Sequence, residues 1–213
     1  MKTLIVRNFT NPIDFETSLQ RMQAITTARV NEPDEIWLLE HPSVYTLGLA
    51  GEEKHIIRSL PHPVVRCDRG GQITFHGPGQ IICYLLIDLK KSNLSIIDLV
   101  DGIEKVIIET LRELGINAEQ NSNIGRGVFV GYKKIASIGI KVKKYKSYHG
   151  FALNYNVDLT KFRNINPCGH ENLGMTNITC HVNNFTQAEI HTKIITHCYK
   201  IFHYDSLVNC TED

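Results

Sequence analysis

The chain has 213 residues, 42% of them hydrophobic and 21% charged, with a formal net charge of +1. Such a composition is that of a globular protein large enough for a sizeable core, read as one domain over residues 1–213, and no run approaches the ~20 apolar residues of a membrane span. The start, MKTLIVRNFTNPIDFE, has only a short apolar run before Arg7 and carries Asp14 and Glu16, so neither a secretory signal nor a transit peptide is read there and a cytoplasmic protein is expected.

Asn11-Pro12 resembles an N-cap followed by proline at the first helical position, and Phe15, Leu19 and Met22 recur at helical spacing to about Val30. EIWLLE, SVYTLG, PVVRC, QITFH and QIICYLLIDL then predict strands across residues 35–89. Ser95 caps a second predicted helix whose inward face is Ile96, Leu99, Val100, Ile103, Ile107, Leu111 and Leu114, closed by Gly115. Residues 127–157 return to strand, with turns at Gly131-Tyr132 and at KYK, and Thr186-x-x-Glu189 opens a last helix with Ile190, Ile194, Ile201 and Phe202 inward. The order predicts a single α/β (α+β) domain, a mixed sheet flanked by helices.

Chemistry concentrates in the glycine-marked segments. DRGGQITFHGPGQ, residues 68–80, holds four glycines, an arginine and a histidine directly before an apolar strand, either as a pair of turns or as a loop that presses its main chain on a ligand. GYKKIASIGIK, YHGFALN and INPCGH share that texture. Six cysteines (Cys67, Cys83, Cys168, Cys180, Cys198, Cys210) form no C-x-x-C pair and are read as reduced thiols; Cys83 and Cys198 fall at apolar positions suited to inert residues. Cys168, between proline and glycine, is expected on a tight exposed turn. A free thiol has a pKa of ~8.5, so a nucleophilic cysteine needs a cation, a base or a helix N-terminus beside it. Lys133, Lys134, His76, His149 and His170 are candidates among which spacing does not choose.

Taken together and in order, RGGQITFHGPGQ, KIASIGIK, HGFALN and INPCG resemble the lipoyl(octanoyl) transferases, from about Glu40 to Met175. The resemblance implies the fold of the biotin and lipoate protein ligases and a reaction that moves octanoyl from acyl carrier protein to a lysine of a lipoyl domain. It implies an acyl-thioester on Cys168, with Lys134 favouring the thiolate. It further implies that the acyl chain is held by Arg69, Gly70, Gly71, Gln72, Ile73, Thr74, Phe75 and His76, by Ser137, Ile138 and Gly139, and by Gly150, Phe151 and Ala152. His149 is a supporting candidate. No cofactor or metal is expected; the donor is octanoyl-acyl carrier protein, the acceptors are lipoyl domains of 2-oxoacid dehydrogenases and the glycine cleavage H protein, and neither nucleic acid nor membrane is a partner. Two departures, Arg126-Gly-Val-Phe129 in place of Pro-Gly-Val-Trp and Leu49 in place of a basic residue, bear on chain preference and docking more than on the reaction.

Rival readings are an ATP-using ligase of the same fold, an amidotransferase between lipoyl proteins and a non-catalytic binding module. HGPGQ and the cysteine of INPCG stand against the ligase, and the reaction itself needs no ATP, because thioester exchange is balanced and amide formation runs downhill. Cys168, His170, Cys180 and His181 match no trusted zinc spacing. From Arg126 to Lys146 lie seven cations (Arg126, Lys133, Lys134, Lys141, Lys143, Lys144, Lys146) and no acid, a face for an acidic partner or a solvated hairpin.

Overall fold

The computed structural model describes residues 1–121 and 123–213. In chain order the elements are β1 (Thr3–Phe9), α1 (Phe15–Ala28), β2 (Asp34–Leu39), β3 (Val44–Leu47), β4 (Val64–Arg66), β5 (Ile73–His76), β6 (Gln80–Leu86), α2 (Ile96–Glu113), β7 (Glu119–Gln120), β8 (Gly127–Val130), β9 (Lys133–Lys143), β10 (Lys146–Asn154), β11 (Gly174–Met175), α3 (Gln187–Ile201) and β12 (Ser206–Glu212). A nine-stranded sheet runs β12-β1-β2-β6-β10-β9-β8-β7, with β11 on the side of β9, and β4-β3-β5 form a second, three-stranded sheet. The large sheet is mixed: β1 is parallel to both neighbours, whereas β2-β6, β6-β10, β10-β9 and β9-β8 are antiparallel.

Period-two alternation sends side chains to two cores. Cys83, Leu85, Ala136, Phe151 and Leu153 pack with Leu99, Ile103, Ile107, Ile190 and Ile194 of α2 and α3. Trp37, Ile82, Tyr84, Tyr148 and Ala152 pack instead with Met22 of α1. Both long helical patterns are found where the periodicity predicts them, with reciprocal capping boxes at Ser95/Asp98 and Thr186/Glu189. Ile96 departs from the predicted inward face: it stands in the first turn of α2, before the packed stretch begins at Leu99, and is 52% exposed.

Asn11 is not the cap of α1. The helix has not begun at Asn11: Ile13 N–H bonds the carbonyl of Glu40, just past β2, at 3.0 Å, and the cap is Asp14, whose carboxylate accepts from Thr17 N–H at 3.1 Å. The helix ends at Ala28, short of Val30. Strands β1 and β12 have no counterpart in the sequence reading: they meet across about 200 residues in a parallel register, Thr3 with Ser206 to Phe9 with Glu212.

Candidate active site

Cys168 sits where its turn was expected, in a single 3₁₀ turn from Pro167 to Gly169 that packs on β5. It adopts φ +58°, a left-handed conformation that a non-glycine residue takes at a cost and that recurs at functional turns. The side chain is half-buried.

Of the five helper candidates the structure brings Lys134 to the sulfur. Lys134 Nζ lies 3.0 Å from Cys168 Sγ, donates to the Arg126 carbonyl at 2.8 Å and stands 5.3 Å over the Phe129 ring. Only 1% of this lysine is exposed, which separates it from the exposed Lys133 next to it on β9. The two neighbours face opposite ways because strand alternation demands it. Gly127 makes the room: at φ +137° it approaches so closely that a Cβ would fall onto Lys134 Cε and 2.8 Å from Nζ.

Beside this pair opens a cavity of about 380 Å³, within the usual size of small-ligand pockets of about 300–1,000 Å³. Ser137 with Ala152 and Gly139 with Gly150 occupy two nearby paired rungs of β9 and β10, so small side chains leave a trough in the sheet. Phe15, Ile82, Tyr84 and Val100 wall it. Arg69, Gly70, Gly71, Gln72, Ile73, Thr74 and His76 border it on one side, and Ile138, His149, Phe151 and Cys168 are among its other lining residues. Phe75 does not line it: alternation on β5 turns it away from Thr74 and His76, into a separate core with Tyr45 and Phe162. Lys134 does not line the cavity itself but is bonded to two residues that do, Cys168 and Arg126.

The glycine loop is shaped by Arg69. Its buried guanidinium donates to the Thr46 carbonyl (2.6 Å), the Gly70 carbonyl (2.9 Å), the Gln72 carbonyl (2.8 Å) and Thr46 Oγ1 (2.8 Å). Gly70 N–H in turn bonds the Ile140 carbonyl at 3.0 Å, pinning the loop to the edge of the trough. Gly139 is required there, since a Cβ would lie 2.8 Å from the Gly70 carbonyl oxygen. Arg69 is thus occupied in holding main chain.

None of the candidate histidines His76, His149 and His170 is hydrogen-bonded to the Cys168 sulfur, whose side-chain partner is Lys134. His76 has both nitrogens engaged, Nε2 with Thr46 Oγ1 (3.2 Å) and Nδ1 with Gln80 Oε1 (2.8 Å), and burial pushes it well below the ordinary histidine range. His149 is bonded through Nε2 to Asp68 Oδ1 at 3.0 Å; burial lowers it while Asp68 opposes the shift. Its φ of +59° breaks the alternation of β10, so that the consecutive Tyr148 and His149 both turn to Asp68 on the α1 side. The Phe15 ring stacks on both histidines, with centroids 6.0 Å from His76 and 6.3 Å from His149.

The basic segment divides. Lys134 is buried at the sulfur, Arg126 is paired with Asp101 and Glu104, and Lys146 bonds the Arg29 carbonyl. Lys133, Lys143 and Lys144 are exposed, with Lys141 half-buried. Residues that the motif reading missed are Phe15 and Tyr84, read as core, Asp68, at the head of the first glycine segment, and Glu104 and Gly127, which lie outside the motifs.

Residues 14–199 match the family described as the lipoyl protein ligase A/B catalytic domain. An octanoyltransferase of Laribacter hongkongensis is 46% identical over 186 residues, 87% of this chain and 89% of that protein. Solved structures share the fold: a bipartite lipoate protein ligase from Thermoplasma acidophilum superposes with a TM-score of 0.74 at 16% identity, covering 100% of this chain and 87% of that one. A biotin protein ligase from Aquifex aeolicus superposes with a TM-score of 0.57 at 11% identity, covering 95% and 70%. The mixed sheet with its flanking helices is therefore the ligase fold that the motifs implied, and the chain belongs to the lipoyl protein ligase A/B catalytic domain family, within its octanoyltransferases.

Proposed function

We propose that the protein, as one domain over residues 1–213 in the cytoplasm, transfers an octanoyl group from acyl carrier protein to a lysine amine of a lipoyl domain, by way of a thioester on Cys168. The acceptors in this reading are the lipoyl domains of 2-oxoacid dehydrogenases and the glycine cleavage H protein. One observation carries it: a buried lysine nitrogen 3.0 Å from a cysteine sulfur at the wall of a largely apolar cavity. Its six free cysteines suit a reducing compartment.

In this reading the Cys168 thiolate, held beside the Lys134 ammonium, attacks the carbonyl of the donor thioester. The new S–C bond replaces the carrier's, and the carrier thiolate leaves with a proton from Lys134. Neutral Lys134 next takes a proton from the acceptor amine as that nitrogen attacks the octanoyl-cysteine carbonyl, and collapse forms the amide and returns the thiolate. Burying the alkyl chain in the trough supplies ~0.8 kcal/mol per methylene, on the order of 5 kcal/mol for an octanoyl tail, which holds the acyl group between half-reactions.

Intact-mass spectrometry of the protein mixed with octanoyl-acyl carrier protein, without ATP, tests the reading. The expected product is one hydroxylamine-labile octanoyl adduct on Cys168, absent in Cys168→Ala and chased onto an added lipoyl domain. An adduct on another cysteine, or one that requires ATP, overturns it.

A further inference from the structure

Glu104 lies on α2, outside every sequence motif, and is 2% exposed. Both of its carboxylate oxygens are engaged. Oε1 accepts from Gly127 N–H at 2.9 Å, and Oε2 accepts from Arg126 Nη1 at 3.0 Å and from Gln120 Nε2 at 2.8 Å. A buried carboxylate is costly unless such partners satisfy it, so its place here calls for a reason.

That reason lies across one peptide unit. The N–H of the Arg126–Gly127 peptide donates to Glu104, and the carbonyl of the same peptide accepts from Lys134 Nζ at 2.8 Å. A peptide bonded to an anion through its N–H is polarised, which makes its carbonyl the stronger acceptor. Lys134 Nζ continues the chain to Cys168 Sγ at 3.0 Å. The carboxylate thus stands one link nearer to the nitrogen than to the sulfur. Its charge therefore favours the proton on Lys134 over the proton on Cys168.

We propose that Glu104 is a positioning residue for the Lys134–Cys168 pair: through the Arg126–Gly127 peptide it fixes the ammonium in place and keeps the proton on nitrogen, leaving sulfur ionised. This rests on the thioester reading above. Other charged groups around the chain are Arg126 and its partner Asp101 on the α2 side, with Arg69, His55 and His170 around the Cys168 turn. Arg126 is half-exposed, and Arg69 is locked onto carbonyls. Glu104 is the carboxylate bonded to the peptide that holds Lys134.

The test follows alkylation of Cys168 by iodoacetamide as a function of pH, read by intact mass, in wild type, Glu104→Gln and Lys134→Met. Glutamine keeps an oxygen for Gly127 N–H and removes the charge. Expected is slowing on the order of tenfold at neutral pH for Glu104→Gln, with a profile moved toward higher pH in the direction of Lys134→Met. A purely structural role would leave that profile in place. A second measurement needs no variant: the Gly127 amide cross-peak in the ¹H–¹⁵N spectrum of the wild type should titrate with the midpoint of Cys168 alkylation. A Glu104→Gln profile superposed on wild type overturns the proposal, and so does a Gly127 amide that does not move through that range. If Lys134→Met also matches wild type, the lysine–cysteine reading falls with it; a shift in Lys134→Met alone removes Glu104 and leaves the pair standing.

Discussion

Lysine nitrogen and cysteine sulfur at 3.0 Å define the chemistry at the scale of single residues, and the surroundings of Lys134 make it specific. Its Nζ stands over the Phe129 ring and its Cε lies against Gly127, so the ammonium has little freedom to leave the sulfur. Lys134→Met keeps the stem's volume and removes the charge. It is expected to fold as wild type and to slow Cys168 alkylation by about 10- to 100-fold at neutral pH, since an opposite charge within ~4–6 Å stabilises an ionised group by roughly one to three pH units. The rate should recover at alkaline pH, where the thiol ionises unaided. Equal rates for variant and wild type at neutral pH would assign the thiolate to another group. Cys168 was legible in the sequence because Pro-Cys-Gly encodes a turn by itself. Lys134 was legible only as one of five candidates, since the contact spans 34 residues.

At the scale of elements, α1 and the β9–β10 hairpin carry separate expectations. The cap at Asp14 is worth about 1 kcal/mol, so Asp14→Ala should lower the thermal midpoint by about 2–4 °C while Asn11→Ala leaves it near wild type. A thermal scan of both variants decides, and the reverse ranking would return the cap to Asn11. The hairpin turns at Lys144 and Tyr145, both at positive φ (+49° and +64°), and presents Lys143 and Lys144 to solvent near the trough's Ile140 rung. Reversing both charges to glutamate should slow acylation by carrier-borne octanoyl on the order of tenfold at low salt and flatten its salt dependence. A small neutral octanoyl thioester should react at the wild-type rate. Equal slowing with both donors would show damage to the trough instead of a lost docking face.

Across the whole molecule, neutral histidines packed around Phe15 tie stability to pH. His41 Nδ1–H donates to the Ile13 carbonyl (2.5 Å) and the neutral ring's Nε2 accepts from the Tyr84 hydroxyl (2.6 Å), and burial depresses His41 to about 4 from an ordinary 6.5. Burial depresses His191 to about 4 as well. As pH falls, the unfolded chain takes up these protons first, so the stability they contribute is complete above about 6.5 and is lost progressively toward about 4. One such histidine costs about 1.4 kcal/mol per pH unit, roughly 3 kcal/mol across the window. Asp68, whose carboxyl is depressed chiefly by its hydrogen bond with His149, has the same sign, but its contribution is lost only in stronger acid, below the ordinary carboxyl value of 3.8. Urea denaturation at pH 7 and at pH 5 should give a lower midpoint in acid for wild type and a smaller drop for His41→Gln. A His41→Gln drop as large as wild type would clear His41 of the effect.

What the sequence determined by itself is everything governed by local spacing and backbone chemistry. The 3.6-residue stripes and capping boxes of α2 and α3, the strands from EIWLLE to YHGFALNYNV, the Pro167-Cys168-Gly169 turn and the glycine segments that border the cavity are of this kind. What tertiary structure alone decided is everything that depends on residues distant in the chain coming within a few ångströms. The parallel pairing of β1 with β12 joins residues 3–9 to residues 206–212. Phe75 leaves the cavity and Phe15 enters it according to which sheet face each meets. Lys134 is selected over its exposed neighbour Lys133 because the pleat sends one to the sulfur and the other to water. Glu104 reaches the Lys134–Cys168 pair through the Arg126–Gly127 peptide because α2 packs over the start of β8, and no local pattern encodes that approach: a buried carboxylate on a helix has the same spacing whether or not a peptide waits opposite it.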